Sequence, residues 1–103
     1  TCSKEYEELG VSIKWLVPNS QKLSMEPIIA EFKSGGRTLK HGPHEGEEFG
    51  YVLMGSVSLL LGDKKFTIKK GESFYIDSGT VHQIENNNKS TAKVIWIANP
   101  PSF

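Results

Sequence analysis

The chain has 103 residues, 12 basic and 12 acidic side chains, a formal net charge of zero and a 37% hydrophobic content. A chain of this length makes one domain, 1–103, and buries about two-thirds of its unfolded surface, enough to fold without staples. The charge balance argues against this chain gripping nucleic acid by itself, and Arg37 is the only arginine available for bidentate phosphate or guanine contacts. Cys2 is the single cysteine, so no intrachain disulfide forms and nothing points to an oxidising compartment. The longest apolar run, Val94 to Ala98, is far too short to span a bilayer, and no signal sequence is visible. These features place the chain in the cytoplasm, and the sequon Asn88-Lys89-Ser90 then reads as a polar turn. The chain opens on Thr1, as a piece of a longer protein, a trimmed chain or one freed from a tag would.

Residues 1–10 are polar and read as a loose lead-in or a short helical turn ending at Gly10. Val11, Ile13 and Trp15 alternate with polar residues, and Ile28, Ala30 and Phe32 do so after Pro27, giving two strands separated by Pro18-Asn19-Ser20. Ser34-Gly35-Gly36 turns the chain into a polar, irregular stretch through His41-Gly42-Pro43. A central strand runs from about Glu47 to Met54, and Gly55 ends it. Val57, Leu59 and Leu61 lead through the two-residue hairpin signal Gly62-Asp63 to Phe66 and Ile68. Phe74 and Ile76 mark a short strand, and Val81 to Glu85 another, with His82 and Ile84 on one face. Val94 to Ala98 is apolar on both faces and so is a central strand. Eight or nine short strands at this turn spacing, with no convincing helix, specify an all-β jelly roll.

The chemistry concentrates at His44 to Gly55. Read as one extended strand, it points His44 and Glu48 the same way, toward the interior. A charge so aimed is costly unless paired or bound to metal. His82 sits on a later apolar strand in a similar setting. Two imidazoles and a carboxylate suit Zn, Mn, Fe, Ni or Cu as divalent ions and leave coordination positions open. The alternative is a metal-free polar cavity in which the same three residues hydrogen-bond one another. His41 is a rim residue that could add a fourth ligand. Glu47 has the opposite parity and faces outward, Glu45 is a turn residue, and Trp15 and Trp96 read as packing. Lys64, Lys65, Lys69 and Lys70 surround a hairpin and suit a solvated edge. No nucleophile constellation and no phosphate-binding glycine loop is present.

The spacing around these residues resembles the cupin family. Gly35, His44, Glu48 and Gly55 (35–55) fall on the glycine, second histidine, glutamate and last glycine of its first motif, with Gly42 in place of the first histidine. Gly71, Gly79, His82 and Asn86 (71–86) match the second motif, with Asp77 in place of its proline. The resemblance implies a double-stranded β-helix, often metal-binding and often dimeric. His44-Glu45-Gly46-Glu47-Glu48-Phe49-Gly50-Tyr51-Val52-Leu53 and the ending Pro100-Pro101-Ser102-Phe103 further resemble the C-terminal cupin of XRE-type helix-turn-helix regulators. That implies the small-molecule-sensing half of a transcriptional regulator, reaching DNA only through an N-terminal part that this chain lacks.

The competing readings are a stand-alone metal-dependent cupin enzyme, such as a dioxygenase or isomerase, and a metal-free binding module. For the sensor, His44, Glu48 and His82 would orient an effector, with Val52, Met54, Ile84 and one face of Phe74 or Trp96 as apolar lining. A small metabolite with a polar head fits this better than a polyanion, since Arg37 and Lys40 are the only cations near the rim. Phe49, Tyr51 and Leu53 form an outward stripe that favours a homodimer, unless the strand at Val11 to Val17 covers it.

Overall fold

The computed structural model describes residues 2–40, 42, 44–77 and 79–103. Among them the strands are β1 (Ser3–Tyr6), β2 (Val11–Trp15), β3 (Glu26–Phe32), β4 (Glu47–Met54), β5 (Ser56–Leu61), β6 (Lys64–Lys69), β7 (Ser73–Asp77), β8 (His82–Glu85) and β9 (Ala92–Asn99). They form two antiparallel sheets, one of six strands in the order β1-β2-β3-β9-β4-β7 and one of three in the order β6-β5-β8. This is the all-β jelly roll that the alternating pattern calls for. The helical pieces among the described residues are single 3-10 turns at Glu7–Leu9 and Ser20–Lys22. None is long and apolar enough to cross a membrane.

The core follows from strand parity. Ile28, Ala30 and Phe32 of β3 and Ala92, Val94, Trp96 and Ala98 of β9 all point between the sheets and are buried. Each fully buried isoleucine or phenylalanine contributes about 1.5–3 kcal/mol. β9 lies between β3 and β4, the interior position that its two apolar faces require. Gly50 of β4 stands opposite both Phe74 and Trp96. A Cβ there would fall inside the Phe74 ring, so the missing side chain is what lets that ring lie across the sheet.

Three local features depart from simple alternation. Residues 3–6 of the polar lead-in pair with β2 as an edge strand, because a hydrogen-bonded ladder needs main-chain groups and not apolar side chains. The β4–β9 register shifts between Val52 and Met54, so Met54 loses the inward parity of Glu48, Gly50 and Val52. It is 40% exposed, which corrects the inward orientation expected of it. β6 is an edge strand carrying exposed Lys64, Lys65 and Lys69, as suits a boundary that must not pair with another chain.

Asn86 follows β8 and ties the two sheets together. Its buried Nδ2 donates to the carbonyls of Phe32 (3.1 Å), Lys33 (3.3 Å) and Ser90 (2.8 Å), and its Oδ1 accepts from the Asn88 N–H (3.0 Å). Asn86→Ala leaves those groups unsatisfied, at about 1–3 kcal/mol. Urea denaturation should show a loss of that size, against a change within about 0.5 kcal/mol for exposed Lys89→Ala.

Candidate metal centre

Glu48 is the inward residue at the start of β4, and its side chain is 2% exposed. Its two oxygens face different partners. Oε1 accepts a hydrogen bond from Trp96 Nε1 of β9 at 2.8 Å. Oε2 lies 3.2 Å from His82 Nε2 and 3.5 Å from His44 Nε2. His82 opens β8 in the smaller sheet, so the contact joins the two sheets across the interior. His44 is half-buried and lies in the loop before β4, not on the same strand as Glu48, because the strand begins only at Glu47. It still reaches the carboxylate, and its ring centroid is 5.4 Å from that of His82. His41 lies outside the described residues.

Backbone carbonyls set the orientation of both imidazoles. His44 Nδ1 is 3.0 Å from the Glu45 carbonyl, and His82 Nδ1 is 3.0 Å from the Thr80 carbonyl. A carbonyl oxygen only accepts, so each Nδ1 carries the hydrogen. Each ring, when neutral, then turns its Nε2 lone pair toward Glu48. Burial pushes the Glu48 carboxyl up, but the hydrogen bond and charge of His82, the Trp96 N–H and the charge of His44 outweigh it, and the net shift is downward. The hydrogen bond to Glu48 raises the His82 pKa; burial opposes this, and the Thr80 carbonyl and the Glu48 charge reinforce it.

This donor set fits a divalent transition metal. One ligand atom from each of His44, Glu48 and His82 can be chosen so that all lie within 4.8 Å of one another. With metal–ligand bonds of about 2.1 Å, neighbouring ligands stand about 3.0–3.4 Å apart, close to the two N–O separations found here. Nδ1 hydrogen bonds to carbonyls are the outer contacts that metal-bound histidines use to fix tautomer and ring angle.

Other residues considered from sequence fall in several places. Val52 and Ile84 are fully buried in the core. Glu47 is exposed and accepts a hydrogen bond from the Tyr75 hydroxyl. Trp96 does more than pack: it stands opposite Gly50 once β4 and β9 pair, a neighbourhood that no stretch of sequence displays. Glu26, likewise buried, escaped notice: Oε2 accepts from Trp15 Nε1 (2.7 Å), and Oε1 from the amides of Ser102 (2.8 Å) and Phe103 (2.7 Å).

The model of the cupin domain family matches residues 28–98. The chain is 27% identical over 94 residues to the helix-turn-helix-type transcriptional regulator PuuR of Escherichia coli, covering 91% of this chain and 51% of that protein. It spans about half the length of the curated relatives it matches. Among solved structures, the cupin domain of an XRE family transcriptional regulator from Enterobacter cloacae superposes with a TM-score of 0.78 at 16% identity, covering 90% of this chain and 99% of that one. Oxalate oxidase in complex with the substrate analogue glycolate superposes at 0.73 with 21% identity, covering 88% and 51%.

The paired shifts give the metal-free protein a defined pH dependence. The raised His82 pKa contributes stability that is complete below the ordinary 6.5 and lost as pH rises through the folded value. The lowered Glu48 pKa contributes stability present above the ordinary 4.5 and lost as pH falls through the folded value. In chelator-treated protein, the stability difference between wild type and Glu48→Gln should therefore most favour wild type between these two pH values. Chemical denaturation across the pH range checks this, and a difference independent of pH would contradict it.

Proposed function

Since this chain belongs to the cupin domain family, we propose that it is the small-molecule-sensing domain of a helix-turn-helix transcriptional regulator, with a divalent metal held by His44, Glu48 and His82. The observation that carries the metal assignment is the convergence of two carbonyl-oriented imidazoles on one carboxylate oxygen. The regulator assignment is supported by the 27% identity to PuuR along 91% of this chain. A metal so held has positions left for a carboxylate or hydroxyl of an effector. The protein's part is to fix the three donors, from one strand of each sheet and the loop before β4, and keep the carboxylate turned by Trp96. Contact with DNA would come through a separate part of the regulator, because this domain carries no net positive charge with which to hold phosphates.

The working unit is a homodimer. β2 continues the six-stranded sheet at the β3 edge and so does not cover the sheet's outer face. On that face Phe49 stands opposite Tyr75 and Ile97, and Tyr51 opposite Ile95. Phe49 is 42% and Tyr75 59% exposed. An apolar stripe of this kind marks an interaction surface. An effector that favours one arrangement of the dimer would shift the spacing of the DNA-reading heads. Light scattering should give a dimer mass for the wild type and a monomer for Phe49→Glu/Tyr75→Glu; a monomeric wild type contradicts this.

The second reading is a metal-dependent oxidase, dioxygenase or isomerase, favoured by the likeness to oxalate oxidase in fold. The two part on turnover. In a metabolite screen on the metal-loaded domain, the sensor reading expects a ligand that raises the melting temperature and is recovered unchanged. Metal-dependent oxygen uptake or isomerisation, abolished by Glu48→Gln, would replace it with the enzyme reading.

A further inference from the structure

A part-open cavity of about 160 Å³ lies against the larger sheet, walled chiefly by Leu9, Val11, Ile13, Ala30, Trp96 and Phe103. Val52, Met54 and Ile84 do not line it. No charged side chain reaches it among the described residues. The Thr38 hydroxyl at its edge already accepts the Ile84 N–H at 3.0 Å. The far wall is built, not left by chance. Glu26, fully buried, accepts the amides of Ser102 and Phe103, and this sets the Phe103 ring edge-on to Trp96 with centroids 5.0 Å apart.

Size and lining define the occupant. An apolar cavity of about 150 Å³ has room for a benzene-sized guest. A neutral ring loses nothing on entering such a wall, whereas an ammonium or carboxylate would give up its hydration with no partner in return. The same indole that forms one wall donates its Nε1–H to Glu48. A guest against its face therefore touches the group that turns the carboxylate toward His44 and His82. We propose that this cavity is a binding site for a single neutral benzenoid ring, or a branched six-carbon body of like size, and that its occupancy is felt at the His–Glu–His cluster through Trp96. The inference rests on the sensing reading and deepens it by naming the apolar body of the ligand.

The test is a titration of ¹⁵N-labelled full chain with benzyl alcohol, read at the two indole N–H resonances, which Trp15→Phe assigns. A saturable shift of the Trp96 signal is expected, with the Trp15 signal unmoved. Ala30→Leu, which fills the cavity, should weaken the apparent affinity at least tenfold. Ile13→Phe, on a half-buried wall residue, does the same where Ala30→Leu fails to fold. An unmoved Trp96 signal, or one that shifts equally in the filled variants, overturns the assignment. If the metabolite screen finds a stabilising ligand while benzyl alcohol leaves Trp96 unmoved, the cavity assignment fails and the sensing reading survives.

Discussion

The buried carboxylate of Glu48 is the constraint on which the site depends. An ionised carboxylate between two sheets costs several kcal/mol unless its oxygens are satisfied. Here the two oxygens are divided, Oε1 to the Trp96 indole and Oε2 to two imidazoles from outside β4. The division has structural consequences. The indole must bring its Nε1 to Oε1, and a glycine at position 50 leaves Phe74 room beside it, with ring centroids 6.2 Å apart. The small sheet must approach closely enough for His82 to make its contact, so the carboxylate fixes how the two sheets close.

The same device occurs twice, with different outcomes. Trp15 donates to Glu26 as Trp96 donates to Glu48. At Glu26 the second oxygen takes two backbone amides, which fixes the chain end and leaves no use for a cation. At Glu48 the second oxygen faces imidazole nitrogens whose hydrogens are directed to carbonyls on the other side of each ring. A proton would resolve that meeting of lone pairs, and so would a metal ion, so the two would compete for the site. The Glu26 pair holds Phe103 against the indole that binds Glu48, and residues 102–103 are thereby joined to the His–Glu–His cluster.

Much of this was legible in the sequence because strands obey parity. Alternation located the apolar interior of β3 and β9, and the spacing of His44, Glu48 and His82 brought those three together. The sequence reading failed where geometry departs from a period of two. His44 lies before the strand, and the register shift after Val52 turned Met54 outward. Trp96 read as an ordinary packing residue, because a hydrogen bond between residues 48 and 96 depends on which strands become neighbours. The cavity was illegible for the same reason: its walls come from Leu9 near one end, Ala30, and Phe103 at the other. No window of sequence contains them together.

The central claim is that a carboxylate held by Trp96 gathers His44 and His82 into one metal centre. Pulsed electron paramagnetic resonance of the protein loaded with one equivalent of Cu(II) tests it most directly, because imidazole nitrogens give resolvable couplings. The account expects two imidazoles on the metal in wild type, one in His44→Ala and one in His82→Ala. A spectrum without imidazole coupling, or one unchanged in both variants, would contradict it.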